Sequence, residues 1–159
     1  MVDNALEEWA ESRVEDLAER LVRRGQTVGV AESLTGGMVT EVLARGPDAS
    51  DWLRGGVVAY ASEVKYDLLA VRPGPVVSRD AALDMANGAA RVLGADIGLA
   101  LTGVAGPGRQ EGEPPGTVWL AVHVGGDTRA ELHRFDGGPV EVCDAACRTI
   151  IEWTTTLLG

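Results

Sequence analysis

Cysteine and histidine are scarce: Cys143, Cys147, His123 and His133 are all the chain contains. The two cysteines fall four apart in a helical pattern. They are too few for a zinc site, and helical side-chain directions turn them away from a mutual disulfide, so they read as buried thiols in a reducing cytoplasm. Both histidines fall inside strand patterns, away from strand ends, which suits a structural or surface role. The acidic residues form no H-x-x-x-H, EF-hand or paired-carboxylate spacing, so neither a metal nor another cofactor is expected. No apolar run is long enough to span a bilayer, and the acidic start M-V-D-N-A-L-E-E is not a signal peptide. A basic stripe is missing as well. With a formal net charge of −10, the chain would repel a phosphate backbone, and neither nucleic acid nor a membrane is expected as a partner. A small anionic substrate stays open, because backbone N–H groups and a few cations act locally.

What is present fits one globular domain. The 159 residues are 45% hydrophobic and 24% charged, with 21 glycines gathered at turns, enough to bury about two-thirds of the unfolded surface in a single core. Asn4 and Glu7 resemble a capping box, and Leu6, Trp9, Val14, Leu17 and Leu21 form an apolar stripe, predicting an amphipathic helix over about 4–24. That helix packs on a sheet or lends its first turns to an oligomer contact. Strands are predicted over Thr27–Ala31, Gly56–Tyr60 and Ile97–Leu101, with helices from Met38 to near Gly46-Pro47, from Ser62 through Leu69, and from the Ser78 cap to Gly94. Asp51–Arg54 reads as a polar hinge around Trp52. Thr117–Val124 and Arg129–Phe135 flank Gly125-Gly126-Asp127 as a hairpin, and Pro139 opens a last helix. This order implies an α/β fold: a three-layer α/β/α sandwich around a mixed, mostly parallel sheet.

Thr27–Gly37, T-V-G-V-A-E-S-L-T-G-G, is the stretch around which the rest is organised. It reads as strand, tight turn and helix, which presents hydroxyls and N–H groups where α/β sheets hold their ligands. Ser33 sits there like an exposed nucleophile, although the G-x-S-x-G elbow is absent; alternatively Ser33 or Thr35 merely caps the helix. Lys65 falls in the first turn of its helix, where the macrodipole disfavours a cation and lowers its proton affinity. It is a base for Ser33, with Tyr60 relaying a proton or orienting the amine, or else a solvated surface lysine. Thr102–Gly108 offers N–H donors for an oxyanion or phosphate, or serves only its turn.

Four collinear segments carry a resemblance: A-E-S-L-T-G-G, G-G-V-V-A-Y-A-S-E-V-K, L-T-G-V-A-G-P-G and P-P-G-T-V-W. Together, from about Leu17 to Leu158, the chain resembles the CinA C-terminal domain family, the nicotinamide-nucleotide amidases, in a stand-alone form covering residues 1–159. The resemblance implies a metal-free hydrolase of pyridine-nucleotide salvage. It would convert nicotinamide mononucleotide to nicotinate mononucleotide and ammonia, as a homo-oligomer. Ser33 would be the nucleophile, Lys65 the base and Tyr60 its assistant. Around the substrate the resemblance expects Glu32, Thr35, Gly36 and Gly37 of the first turn, Ser62, and Thr102, Gly103 and Gly106 of the glycine loop. Ser62 stands where the family usually has Asn, and the Val71–Val77 connection is short. The last helix opens Gly138-Pro139-Val140-Glu141-Val142-Cys143 where the family commonly carries two arginines, so Arg109 is the candidate replacement. An amidase for another small amide, or a non-catalytic nucleotide-binding or regulatory subunit, would share these residues.

Overall fold

The computed structural model describes residues 4–159; Met1–Asp3, part of the stretch read against a signal peptide, lie outside the described residues. The elements are α1 (Asn4–Arg24), β1 (Val28–Glu32), α2 (Met38–Ala44), α3 (Ala49–Trp52), β2 (Leu53–Val58) and α4 (Ser62–Leu69). They continue with α5 (Arg79–Leu93), β3 (Ile97–Gly103), β4 (Thr117–Val124), β5 (Asp127–Arg134) and α6 (Pro139–Leu158).

The sheet order is β2-β1-β3-β4-β5. Parallel pairing joins β1 to β2 and β3, while β3–β4 and β4–β5 are antiparallel. The sheet is therefore mixed, and the carboxyl ends of β1, β2 and β3 share one edge. The β4–β5 turn is Gly125-Gly126, both at positive φ (61° and 80°), as a tight two-residue hairpin requires.

Side-chain size divides the two faces. Val28, Val30, Ile97, Leu99, Leu101, Leu120 and Val122 point into one core with α1, α2 and α6. Ala31, Ala100 and Ala121 point into the other, against α5. Strand residues alternate between faces, so large residues meet side chains on one face and alanines admit a close helix on the other. α5 is built for that approach, with Ala81, Ala82, Met85, Ala86 and Ala89 buried. It starts at Ser78, whose side chain accepts from the Ala81 N–H at 3.1 Å, and ends at Gly94 with φ 60°.

Three local expectations shift. The strand read at Gly56–Tyr60 runs from Leu53 to Val58, because Arg54 is accommodated in a register shift between Val28 and Gly29 and Gly55 supplies φ 135°. The hinge at Asp51–Arg54 is instead the end of one-turn α3 and the start of β2. Trp52 there is 1% exposed, its indole donating to the Pro47 carbonyl at 2.8 Å. Glu7 does not close a capping box on Asn4; it pairs with Arg45 and ties α1 to the end of α2.

Candidate active site

Ser33 is the first residue beyond β1, on the shared carboxyl edge. Its N–H donates to the Leu101 carbonyl at 3.1 Å, and the Ala59 N–H donates to the Glu32 carbonyl at 2.7 Å. Ser33 thus stands between the departing ends of β2 and β3, which flank it at about 4.8 Å each.

The turn that follows is organised by Glu32, which the resemblance placed near the substrate. Glu32 is fully buried. Its Oε1 accepts from Thr35 Oγ1 at 2.7 Å and the Val39 N–H at 2.9 Å; its Oε2 accepts from the Thr40 N–H at 2.9 Å and Thr40 Oγ1 at 2.6 Å. A carboxylate at the positive end of α2 satisfies N–H groups that the capping position, Gly37, cannot. The Glu32 carboxylate and the Thr35 hydroxyl therefore hold the turn together, and neither Ser33 nor Thr35 caps α2. Gly36 (φ 58°) and Gly37 (φ 107°) make the turn possible. Within it the amides of Ser33, Gly36 and Met38 are bonded to carbonyls. Among the described residues, Leu34, Thr35 and Gly37 keep backbone N–H groups without a protein acceptor.

Lys65 is the only lysine among the 14 lysines and arginines. It is 2% exposed, which rules out a solvated surface lysine. Its Nζ donates to the Tyr60 carbonyl at 3.4 Å. Burial lowers its proton affinity, and the Glu111 carboxylate works against that lowering. The direction matches the sequence reading, and its largest cause is lost hydration. Tyr60 meets Lys65 through its carbonyl, while the residue as a whole is 74% exposed. Ser62, the first residue of α4, is half-buried.

Beyond β3 the expected contacts divide. Thr102 lies inside the strand, 1% exposed, and its hydroxyl donates to the Val76 carbonyl at 2.6 Å. Gly103 is buried where a Cβ would stand 2.5 Å from the Thr117 carbonyl, so its place is set by the approach of β4. Gly106 holds φ 97° against Pro115. Arg109 is exposed and donates to the Gly112 carbonyl at 3.0 Å. The sequence reading missed Glu111, whose carboxylate accepts from the Val76 and Val77 N–H groups. Its partners are 34 and 35 residues away, and no local spacing marks it. A groove of about 440 Å³ between α1 and the Gly46-Pro47 turn shares no residue with this edge.

The structure thus gathers Ser33, the Tyr60 carbonyl and the buried amine of Lys65 at one sheet edge, under loops fastened by Glu32, Thr102 and Glu111. The same arrangement of elements is found in solved structures. A competence-damaged protein (CinA) superfamily protein of Klebsiella pneumoniae 700603 superposes with TM-score 0.90 at 32% identity, over 94% of this chain and 97% of that one. The competence/damage inducible protein CihA of Agrobacterium tumefaciens gives TM-score 0.82 at 34% identity, over 91% and 95%. Among curated sequences, a CinA-like protein of Syntrophotalea carbinolica is 37% identical over 150 residues, 91% of this chain and 36% of the relative. A CinA-like protein of Gloeobacter violaceus is 48% identical over 119 residues, 71% of this chain and 28% of the relative. The chain therefore spans about a third of the length of the curated relatives it matches. The family model for the CinA C-terminal domain covers residues 10–158, nearly the whole chain, and on these grounds the protein belongs to the CinA C-terminal domain family.

Proposed function

We propose that this protein is an amidohydrolase that deamidates nicotinamide mononucleotide through an acyl-enzyme at Ser33. The observation that carries the reading is the burial of the only lysine, its proton affinity lowered, at the sheet edge where Ser33 leaves β1. A lysine that gives up its proton readily can act as a base where an ordinary one stays charged.

In the first half-reaction the Ser33 hydroxyl oxygen bonds to the carboxamide carbon and its proton passes to Lys65 Nζ. The C–N bond then breaks and the proton moves from Nζ to the departing nitrogen, releasing ammonia. In the second, water gives a proton to Nζ and its oxygen bonds to the acyl carbon. The ester bond breaks, Ser33 Oγ recovers the proton, and nicotinate mononucleotide leaves. The N–H groups of Leu34, Thr35 and Gly37 supply donors for the oxyanion. Tyr60 stands at the rim, where its exposed ring covers a bound substrate. Arg109, with the backbone amides near Gly106, offers charge for the phosphate. We further propose a cytoplasmic homo-oligomer that uses no metal and binds neither nucleic acid nor membrane.

The test is ammonia release from nicotinamide mononucleotide by the parent, Ser33→Ala and Lys65→Ala proteins, each checked for folding. Expected is turnover in the parent and a loss of at least about 10³-fold in each variant. Turnover at the parent rate in Ser33→Ala overturns the mechanism. Binding without turnover in the parent would favour a non-catalytic nucleotide-binding subunit, the reading prompted by the Gly138–Cys143 segment and its missing arginines. Turnover of a different amide alone would reassign the substrate.

A further inference from the structure

We propose that Glu111 is a positioning residue of this site: carried on the loop after β3, its carboxylate fastens the Val76–Val77 segment and through it bears on α4, the helix that holds the buried amine of Lys65. The effect on turnover rests on the Ser33–Lys65 reading; the effect on the amine does not.

The fastening is direct. Glu111 Oε2 accepts from the Val76 N–H at 2.9 Å, and Oε1 accepts from Val76 at 3.0 Å and Val77 at 2.6 Å. On the other side of the same peptide segment, Thr102 Oγ1 donates to the Val76 carbonyl at 2.6 Å. Val76 and Val77 are thus held between a carboxylate on one loop and a buried hydroxyl on β3. The segment is also tied to α4, since Tyr66 Oη donates to the Gly74 carbonyl at 2.8 Å and the Val71 N–H donates to the Lys65 carbonyl at 3.1 Å. Movement of the segment is therefore transmitted to the helix that carries Lys65.

Glu111 is placed by its own backbone. The flanking Gln110 and Glu113 exchange both N–H···O bonds, at 3.1 and 2.8 Å, and Glu111 sits between them at φ 53°. A residue with a β-carbon is strained there, a strain offset here by its charge-assisted hydrogen bonds.

The other charges around α4 are engaged elsewhere or exposed. Asp80 and Asp84 of α5 face Arg72, at 3.8 and 2.9 Å, and Glu113 faces Arg134 at 3.5 Å. Arg91 of α5 donates to the Leu68 carbonyl at 3.0 Å. On α4 itself, Glu63 and Asp67 are exposed. Glu111 is the charged group that raises the proton affinity of Lys65, against burial, which lowers it.

A single lysine makes this measurable without any turnover. Protein grown on lysine labelled at Cε and Nζ gives one lysine side-chain resonance, whose pH titration reports Lys65 alone. In Glu111→Gln the midpoint is expected to move to lower pH, with faster amide exchange at Val76 and Val77. The rising limb of the pH–rate profile should move in the same direction. Glu113→Gln, in the same loop but paired with Arg134, should leave the midpoint in place. If Glu111→Gln does not fold, Glu111→Asp, which keeps the charge on a shorter arm, is expected to move the midpoint the same way by less. An unchanged midpoint in the folded Glu111 variant overturns the proposal, as does an equal shift in Glu113→Gln. A shifted midpoint in a protein that hydrolyses no nicotinamide nucleotide supports this proposal and rejects the amidase reading.

Discussion

Lys65 holds a position that works against stability. Buried at 2% exposure, its amine has a proton affinity below the ordinary value of 10.5. Between that lowered value and 10.5, the unfolded chain binds a proton that the folded protein does not, so stability rises with pH through this window. Below the window both states are protonated, and the folded protein carries the full cost of the buried charge. Lys65→Met keeps the length and removes the charge. At pH values below the window the variant should be more stable than the parent by about 1 kcal/mol or more, and across the window its stability should change less with pH. Urea denaturation below the window and across it measures both. A variant less stable than the parent below the window would mean that Glu111 and the Tyr60 carbonyl overcompensate for burial. Glu32 stands in contrast: equally buried, it meets four donors, and its charge is an asset to α2.

The elements show what a sequence can and cannot carry. The strand-turn-helix at Thr27–Gly37 was legible because a short apolar run meets paired glycines, and the hairpin because Gly125-Gly126 admits the positive φ that a tight two-residue turn requires. The start of β2 was hidden, since Leu53 and Arg54 belong to the stretch Asp51–Arg54 that reads as a hinge until its partner strand supplies the register shift. The cap of α2 was hidden because its carboxylate lies on the preceding strand, seven and eight residues before the N–H groups it meets. The burial of Lys65 is likewise a tertiary fact, although its unfavourable place at a helix start gave the right direction. The purpose of the alanines of α5 appears only with the strands beneath them. At Gly98 a Cβ would stand 2.0 Å from the Ala86 carbonyl oxygen, whereas at Gly29, its partner on β1, the nearest atom is the movable Leu93 side chain at 2.7 Å. Gly98→Ala should therefore cost about 3 kcal/mol or more, and Gly29→Ala less than about 1.5 kcal/mol. Denaturant midpoints at unchanged slope give the two values. Equal losses would mean that α5 can rise from β3 as readily as Leu93 can turn.

At the scale of the whole molecule, a net charge of −10 and an isoelectric point near 4.6 set a sign that the proposed substrate must overcome. Three cations on the segments around the candidate site do not reverse it: Arg72 is paired with Asp80 and Asp84, Arg134 faces Glu113, and Arg109 shares its loop with Glu111 and Glu113. An anionic nucleotide therefore approaches against the field, the reverse of an electrostatically steered encounter. Salt shortens the reach of that field, from about 30 Å at 0.01 M to about 8 Å at 0.15 M. For nicotinamide mononucleotide kcat/KM should accordingly rise across this range, through KM rather than kcat, while for an uncharged amide it should stay level. Because the repulsion belongs to the envelope, charge-neutralising substitutions on the glutamates of α1, far from the site, should flatten the dependence without touching kcat. A fall in kcat/KM with salt would instead show that Arg109 and its neighbours attract the phosphate strongly enough to dominate the envelope. That result would place the phosphate on the loop after β3, beside the carboxylate that fastens Val76 and Val77.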